Sequence, residues 1–184
     1  MGSEMCIRDR ILAENMNTQE FRSLIEQLQK NDISALERLY TEYFGKIYVH
    51  ALYQVKDRDV AYDTAMNVMM RLYRYAGNAE EIKNHVGLLT AMTDNAVKDH
   101  YRRGAFCKSA AMPESQTLSE PEDMLWLSDI LAALTEEERG VFIDHAIWEK
   151  PLKEIAAQRS IPYITLRRMY GGIKKKIGAI YSQS

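Results

Sequence analysis

A chain of 184 residues, 46% hydrophobic and 27% charged, with a formal net charge of -2, has the balance of a soluble globular protein with room for one ordinary domain or two small ones. Such a balance excludes a disordered chain, and no apolar run approaches the roughly 20 residues that a membrane-spanning helix needs. The two cysteines, Cys6 and Cys107, match no metal or redox spacing, which makes a reducing cytoplasm the expected location.

The opening stretch MGSEMCIRDRILAENM carries three methionines (Met1, Met5, Met16) before any periodic pattern, and it lacks the apolar core of a secretory signal. Residues 1–16 are therefore read as a non-native or disordered extension. The whole chain holds only four prolines and nine glycines. Apolar residues recur at intervals of three and four, and alternation of valine, isoleucine and threonine is nearly absent, so helices are predicted throughout. Phe21, Leu24, Ile25 and Leu28 make a first short stripe. Asp32 is placed to cap a second helix with Ile33, Leu36, Leu39, Tyr40, Phe44, Ile47, Tyr48, Ala51 and Leu52 on one face. After the polar break Lys56-Asp57-Arg58-Asp59, a third helix is predicted over Val60–Tyr75, ended by Gly77-Asn78. A fourth is predicted over Asn84–Arg103.

Composition then changes. Residues 105–121 (AFCKSAAMPESQTLSEP) are small, polar and aperiodic, and read as a flexible linker. Helical patterning resumes over Glu122–Leu134. Thr135 with Glu138 three residues later is the capping-box signature of the next helix, which accounts for Glu136, Glu137 and Glu138 without any catalytic role. The expected architecture is all-α: two small helical domains, 17–104 and 122–184, on a flexible tether.

The segment Pro151–Ile177 concentrates charge. It holds Lys153, Arg159, Arg167, Arg168, Lys174, Lys175 and Lys176 against the single acid Glu154, seven bases to one acid in a chain that is slightly acidic as a whole. Its apolar residues fall at Leu152, Ile155 and Ala156, then Ile161, then Leu166, Met169, Tyr170 and Ile173. Pro151 suits the first turn of a short helix, Gln158–Ile161 a tight turn, and Pro162 the opening of a second helix. That is helix-turn-helix spacing. Ile161 would plug the gap between the helices, and Ser160 would have to serve where glycine is often found. Exposed near the start of the second helix would be Tyr163, Thr165, Arg167 and Arg168, side chains suited to the major groove, with Lys174, Lys175 and Lys176 on phosphates. A helical hairpin with a solvated basic face is the alternative reading of the same pattern.

Taken together the two halves resemble the RNA polymerase sigma factors, specifically the compact two-domain extracytoplasmic-function group. The resemblance covers roughly Asp32 to Ile177. Its N-terminal part is carried by ALERLYTEYFGKIYVHAL, DVAYDTAMNVMMRLYRY and IKNHVGLLTAMTDNAVKDHYRR, in which Asn95, Asp99, Arg102 and Arg103 match the N…D…RR pattern of sigma region 2. Its C-terminal part, ALTEEERGVFIDHAIWEKPLKEIAAQRSIPYITLRRMYGGIKKKI, looks like region 4. The resemblance implies core RNA polymerase and promoter DNA as partners, with an anti-sigma factor as a further candidate. It also implies no catalytic residue in this chain; no cofactor, metal or membrane insertion is expected.

Under that resemblance the third helix would bind the polymerase clamp through Asp63, Met66, Asn67, Met70 and Arg71. Asn84, Asn95, Lys98, Asp99, Tyr101, Arg102 and Arg103 would read and open the minus-ten element. Region 4 would dock on the polymerase flap and lay Pro162–Lys176 in the minus-thirty-five major groove, and the linker would thread past the catalytic cleft. The chain departs from the family at several positions: Met66 and Asn67 stand where acidic and glutamine residues are usual, Leu88 where an aromatic is frequent, and Ala91 and Asp94 where bases are common. Asp94 beside a DNA strand would repel it.

Other chemistry finds little support in the sequence. His50, His85, His100 and His145 are scattered without a second ligand at helical spacing, and no glycine-rich phosphate loop exists. Met66, Met69 and Met70 are expected in the core, and Trp126 and Trp148 in the packing of the second domain. Beside the sigma reading stand two other classes: a stand-alone helix-turn-helix regulator, and a divergent sigma-like protein that binds an inhibitor or partner.

Overall fold

Asn17 opens the first helix through a reciprocal cap. Its side-chain oxygen accepts from the Gln19 and Glu20 amides at 3.0 Å each, while Glu20 Oε2 accepts from the Asn17 amide at 3.4 Å. The computed structural model describes residues 16–75, 79–106 and 130–181, and this helix is its α1, Thr18–Gln29. Asp32 caps α2, Ile33–Val55, by accepting from the Ser34 amide at 2.9 Å and the Ser34 hydroxyl at 2.7 Å. Lys56, left-handed at φ 57°, ends it. The polar break that follows is itself a cap: Asp57 accepts from the Val60 amide at 3.0 Å and α3 spans Arg58–Tyr73, two residues earlier than predicted at both ends. After a 3-10 turn, Ala79–Glu81, α4 runs over His85–Phe106.

The far end of α4 corrects a predicted boundary. The helix passes Arg103 and Gly104 and takes in Ala105 and Phe106, where the linker was expected to begin. No proline stops it before Pro113, and alanine favours continuation. The remainder of that linker, residues 1–15 of the opening extension, the Gly77-Asn78 stop and residues 122–129 of the helix predicted over Glu122–Leu134, Trp126 among them, lie outside the described residues.

The described residues fall into two compact units, 16–106 and 130–181. In the first, α2 packs against α1, α3 and α4, and α3 also packs against α4. Phe21, Leu24, Leu39, Tyr43, Ile47, Val68, Leu72 and Leu89 are buried there. Ile33 and Tyr40 depart from the predicted buried face, at 76% and 39% exposed. Ile33 is the first residue of its helix, where a side chain leaning toward the N-terminus overhangs the end of the bundle. The methionines divide as well: Met69 is buried, whereas Met66 and Met70 face outward.

In the second unit, helical residues 130–133 lead to Thr135, whose hydroxyl accepts from the Glu138 amide at 3.4 Å while Glu138 Oε2 accepts from the Thr135 amide at 2.9 Å. This is the predicted capping box, and it opens α5, Glu136–Phe142. The helix widens directly into a π-helical turn, Ile143–Ile147; α6, Leu152–Gln158, and α7, Tyr163–Tyr181, follow. Helix α7 packs on α5 and α6. Val141, Phe142, Ile147, Trp148, Ile155, Leu166 and Ile173 are buried. Every regular element among the described residues is helical, and no helix there is long and apolar enough to cross a membrane.

Candidate nucleic-acid interface

The turn between α6 and α7 sets the angle of the candidate reading helix. Ser160 takes the left-handed conformation at φ 53°. The Ile161 amide reaches back to the Ala156 carbonyl at 3.0 Å and the Ser160 amide to that of Ala157 at 3.3 Å. These are the two bonds of a Schellman ending, with serine where glycine is usual, at a local cost of about 1 kcal/mol. Pro162 then accepts from the Thr165 and Leu166 amides at 2.9 and 3.1 Å, starting α7. Pro151 sits just outside α6, at its cap, rather than in its first turn as predicted. Ile161 is half-buried at the turn, as its plugging role requires, and Leu166 and Ile173 turn inward with no exposure.

What α7 leaves outside is Tyr163, Ile164, Thr165, Arg167 and Arg168 in its first two turns, then Lys174, Lys175 and Lys176. Ile164 was not singled out from the sequence. It is 78% exposed. Two of the seven bases do not belong to an open patch. Lys176 Nζ donates to both oxygens of Glu138, at 2.8 and 2.6 Å, and that contact holds the Glu138 carboxyl below its usual range. Lys176 thus ties α7 to the cap of α5. Arg159 Nη2 donates to Asp144 Oδ2 at 2.7 Å, and Lys150 donates to Asp144 Oδ1 at 2.9 Å. A Cβ on Gly140 would stand 2.6 Å from the Arg159 guanidinium, so a side chain there would push the end of Arg159 aside. The remaining bases, Lys153, Arg167, Arg168, Lys174 and Lys175, are exposed; Lys174 rests its ammonium 5.1 Å from the Tyr170 ring centre.

In the first unit, Asn95, Lys98, Tyr101, Arg102 and Arg103 are exposed along α4, and the Tyr101 hydroxyl donates to the Gln54 carbonyl at 3.3 Å. Two residues expected at the minus-ten contact are hydrogen-bonded within the unit. Asn84 caps α4, accepting from the Gly87 amide at 2.9 Å. Asp99 accepts from Arg71 Nη2 at 2.9 Å and from Arg102 Nη2 at 2.7 Å, and these partners, Arg71 first, hold its carboxyl below the usual range. Arg71, assigned to the polymerase face, is thereby tied across α3 and α4, and the same carboxylate holds Arg102, which stays 81% exposed in its side chain. Asp94, which the sequence reading set against a DNA strand, is also engaged: His50 Nε2 lies 3.2 Å away and Gln54 donates at 2.6 Å, and its carboxyl is lowered by those two contacts, His50 first. Asp63, Met66, Asn67 and Met70 share the outward face of α3 with Tyr73.

Beneath the start of α4 lies a buried histidine that the sequence did not mark. His85 is 6% exposed and lies against the Phe21 ring at 5.2 Å between centres. Its Nδ1 shares a 3.0 Å hydrogen bond with the Thr18 hydroxyl, while Nε2 has no hydrogen-bond partner among the described residues. Burial first, and then the Lys46 charge, push its pKa below the ordinary 6.5, with Glu42 opposing. The unfolded chain therefore takes up a proton below about pH 6.5 that the folded chain resists, so stability falls as pH drops through that window. The midpoint of urea unfolding is expected to fall between about pH 7.5 and about pH 5, and His85→Phe, which keeps a ring there and removes the titration, to flatten that slope.

Compared with known proteins, the sequence matches no family model and no curated protein. Among the described residues no cluster of histidine, cysteine and acidic side chains is arranged to hold a metal ion.

Proposed function

We propose that this chain is a promoter-specificity subunit of bacterial RNA polymerase, of the sigma type. The observation that carries the reading is the helix-turn-helix of α6 and α7, whose second helix leaves Tyr163, Thr165, Arg167 and Arg168 exposed beside Lys174 and Lys175. Arginine at the front of such a helix can meet guanine edges bidentately, while lysines further along add salt-dependent affinity for phosphates. Support for a polymerase partner comes from the order of the motifs and from the outward face of α3, where Asp63, Met66, Asn67 and Met70 offer one acid, one amide and two soft apolar side chains. On this reading, the exposed end of α4, with Asn95, Lys98, Tyr101, Arg102 and Arg103, catches the opened strand by stacking and charge. The polymerase supplies the chemistry, and the protein works in the cytoplasm with core polymerase and promoter DNA as partners; an anti-sigma factor would be a third.

A stand-alone regulator is the second reading, favoured by the same basic face of α7. Sizing of the purified chain with bacterial core polymerase separates the two. The sigma reading predicts a stoichiometric complex that Met70→Glu on the α3 face weakens. A chain that never joins core, yet binds a duplex tightly as a dimer, would be the regulator. A chain that does neither would be a divergent partner-binding protein.

A further inference from the structure

Resting on the proposal that α7 reads DNA, we infer that Ile164 is a specificity residue that packs on the methyl group of a thymine, and that Gly171 is the smooth spot where the groove wall closes on the helix. Ile164 is 78% exposed on a rigid helix, the most exposed large apolar side chain among the described residues. Isoleucine is a poor choice for a solvated helix face, being apolar and stiff at χ1. Its neighbours in space follow from helical geometry: residues 164, 168, 171 and 175 fall within about 40° of one line along α7. The outward strip therefore reads Ile164, Arg168, Gly171, Lys175, with Arg167 to one side.

Gly171 needs its own explanation, because a glycine in a helix interior weakens the helix and is kept for close approach. No described residue asks for it: a Cβ there meets no atom within 4 Å, as also at Gly172 and Gly178. Gly171 lies on the strip between Arg168 and Lys175, which points to a body outside the chain. Strip and spacing suit a duplex. Arg167, Arg168 and Lys175 supply charge complementary to a phosphate-lined groove, and the rise from Ile164 to Gly171 is about 10 Å, close to the width of a major groove. With the front of α7 at the groove floor, Ile164 meets base edges, where thymine alone offers a methyl. Gly171 then passes the sugar-phosphate wall, and Lys175 reaches a phosphate beyond it.

The test selects duplexes from a random-core pool with the full chain at low salt, then replaces each thymine of the enriched motif by deoxyuridine, which lacks only the methyl. At one position the substitution should weaken binding roughly fourfold, the worth of one buried methyl. Ile164→Ala should bind the thymine duplex more weakly by a similar factor and lose the distinction. Gly171→Leu, whose Cβ meets no described atom, should leave the melting temperature unchanged or higher yet weaken binding roughly tenfold, as forcing methylenes into a closed contact does. An enriched motif whose thymines tolerate deoxyuridine, or whose sensitivity survives in Ile164→Ala, overturns the inference while the DNA reading stands. A pool that yields no motif sinks the DNA reading and the inference with it.

Discussion

Replacing Trp148 by alanine is expected to cost the second unit 3–5 kcal/mol, the usual loss for a large buried aromatic and as much as a small domain holds in reserve (~5 kcal/mol). Trp148 is 1% exposed, and its amide donates to the Ile143 carbonyl at 3.0 Å, closing the π-helical turn that aims the chain into Pro151 and α6. Removal leaves a cavity where the supporting helix meets its lead-in, so the loss falls on the platform under α7 rather than on its exposed face. Amide NMR signals of α6 and α7 should collapse toward random-coil shifts, with DNA binding lost at the same time. Retained dispersion with a midpoint shift below about 1 kcal/mol would show that Trp148 is not central to that core.

A second large effect is expected from a charge hidden in the first unit, and it has an asymmetric signature. Lys46 is fully buried, its ammonium 2.7 Å from Glu42 Oε1 and 5.5 Å from the Tyr43 ring centre. Glu42→Ala leaves a buried cation without that carboxylate and should destabilise by about 3 kcal/mol. Lys46→Met removes the cation instead and keeps the volume, while Glu42, 23% exposed, can turn to water. That variant should stay within about 1 kcal/mol of the parent in urea unfolding. Equal losses in the two variants would mean that the pair contributes net stability rather than compensating a buried charge.

Much of the fold was legible because it rests on local rules. Asp32 and the Thr135–Glu138 pair announce their caps in three or four letters, and Ile155, Leu166 and Ile173 recur at the spacing that buries them. Ser160 was readable as the strained turn position because the chain offers no glycine between α6 and α7. Long-range pairing was not legible. Lys176 meets Glu138, Arg71 meets Asp99 and Arg159 meets Asp144 across 38, 28 and 15 residues, and no local pattern reports such a contact. So the basic patch looked larger in sequence than it is in space, and the α4 site less internally bonded. Asp94 shows the same limit in the other direction: its charge, alarming beside DNA, is engaged by His50 and Gln54. Ile164 was visible as a letter, but only its exposure on a formed helix gives it meaning.

Chain-dependent initiation tests the central claim most directly. Core RNA polymerase is incubated with fragmented DNA of the source genome, with and without the protein, and the 5′ ends of the transcripts are mapped. The sigma account predicts start sites that appear only with the protein, share two upstream motifs, and vanish with Arg167→Glu and Arg168→Glu together. Identical start sites with and without the protein would contradict it.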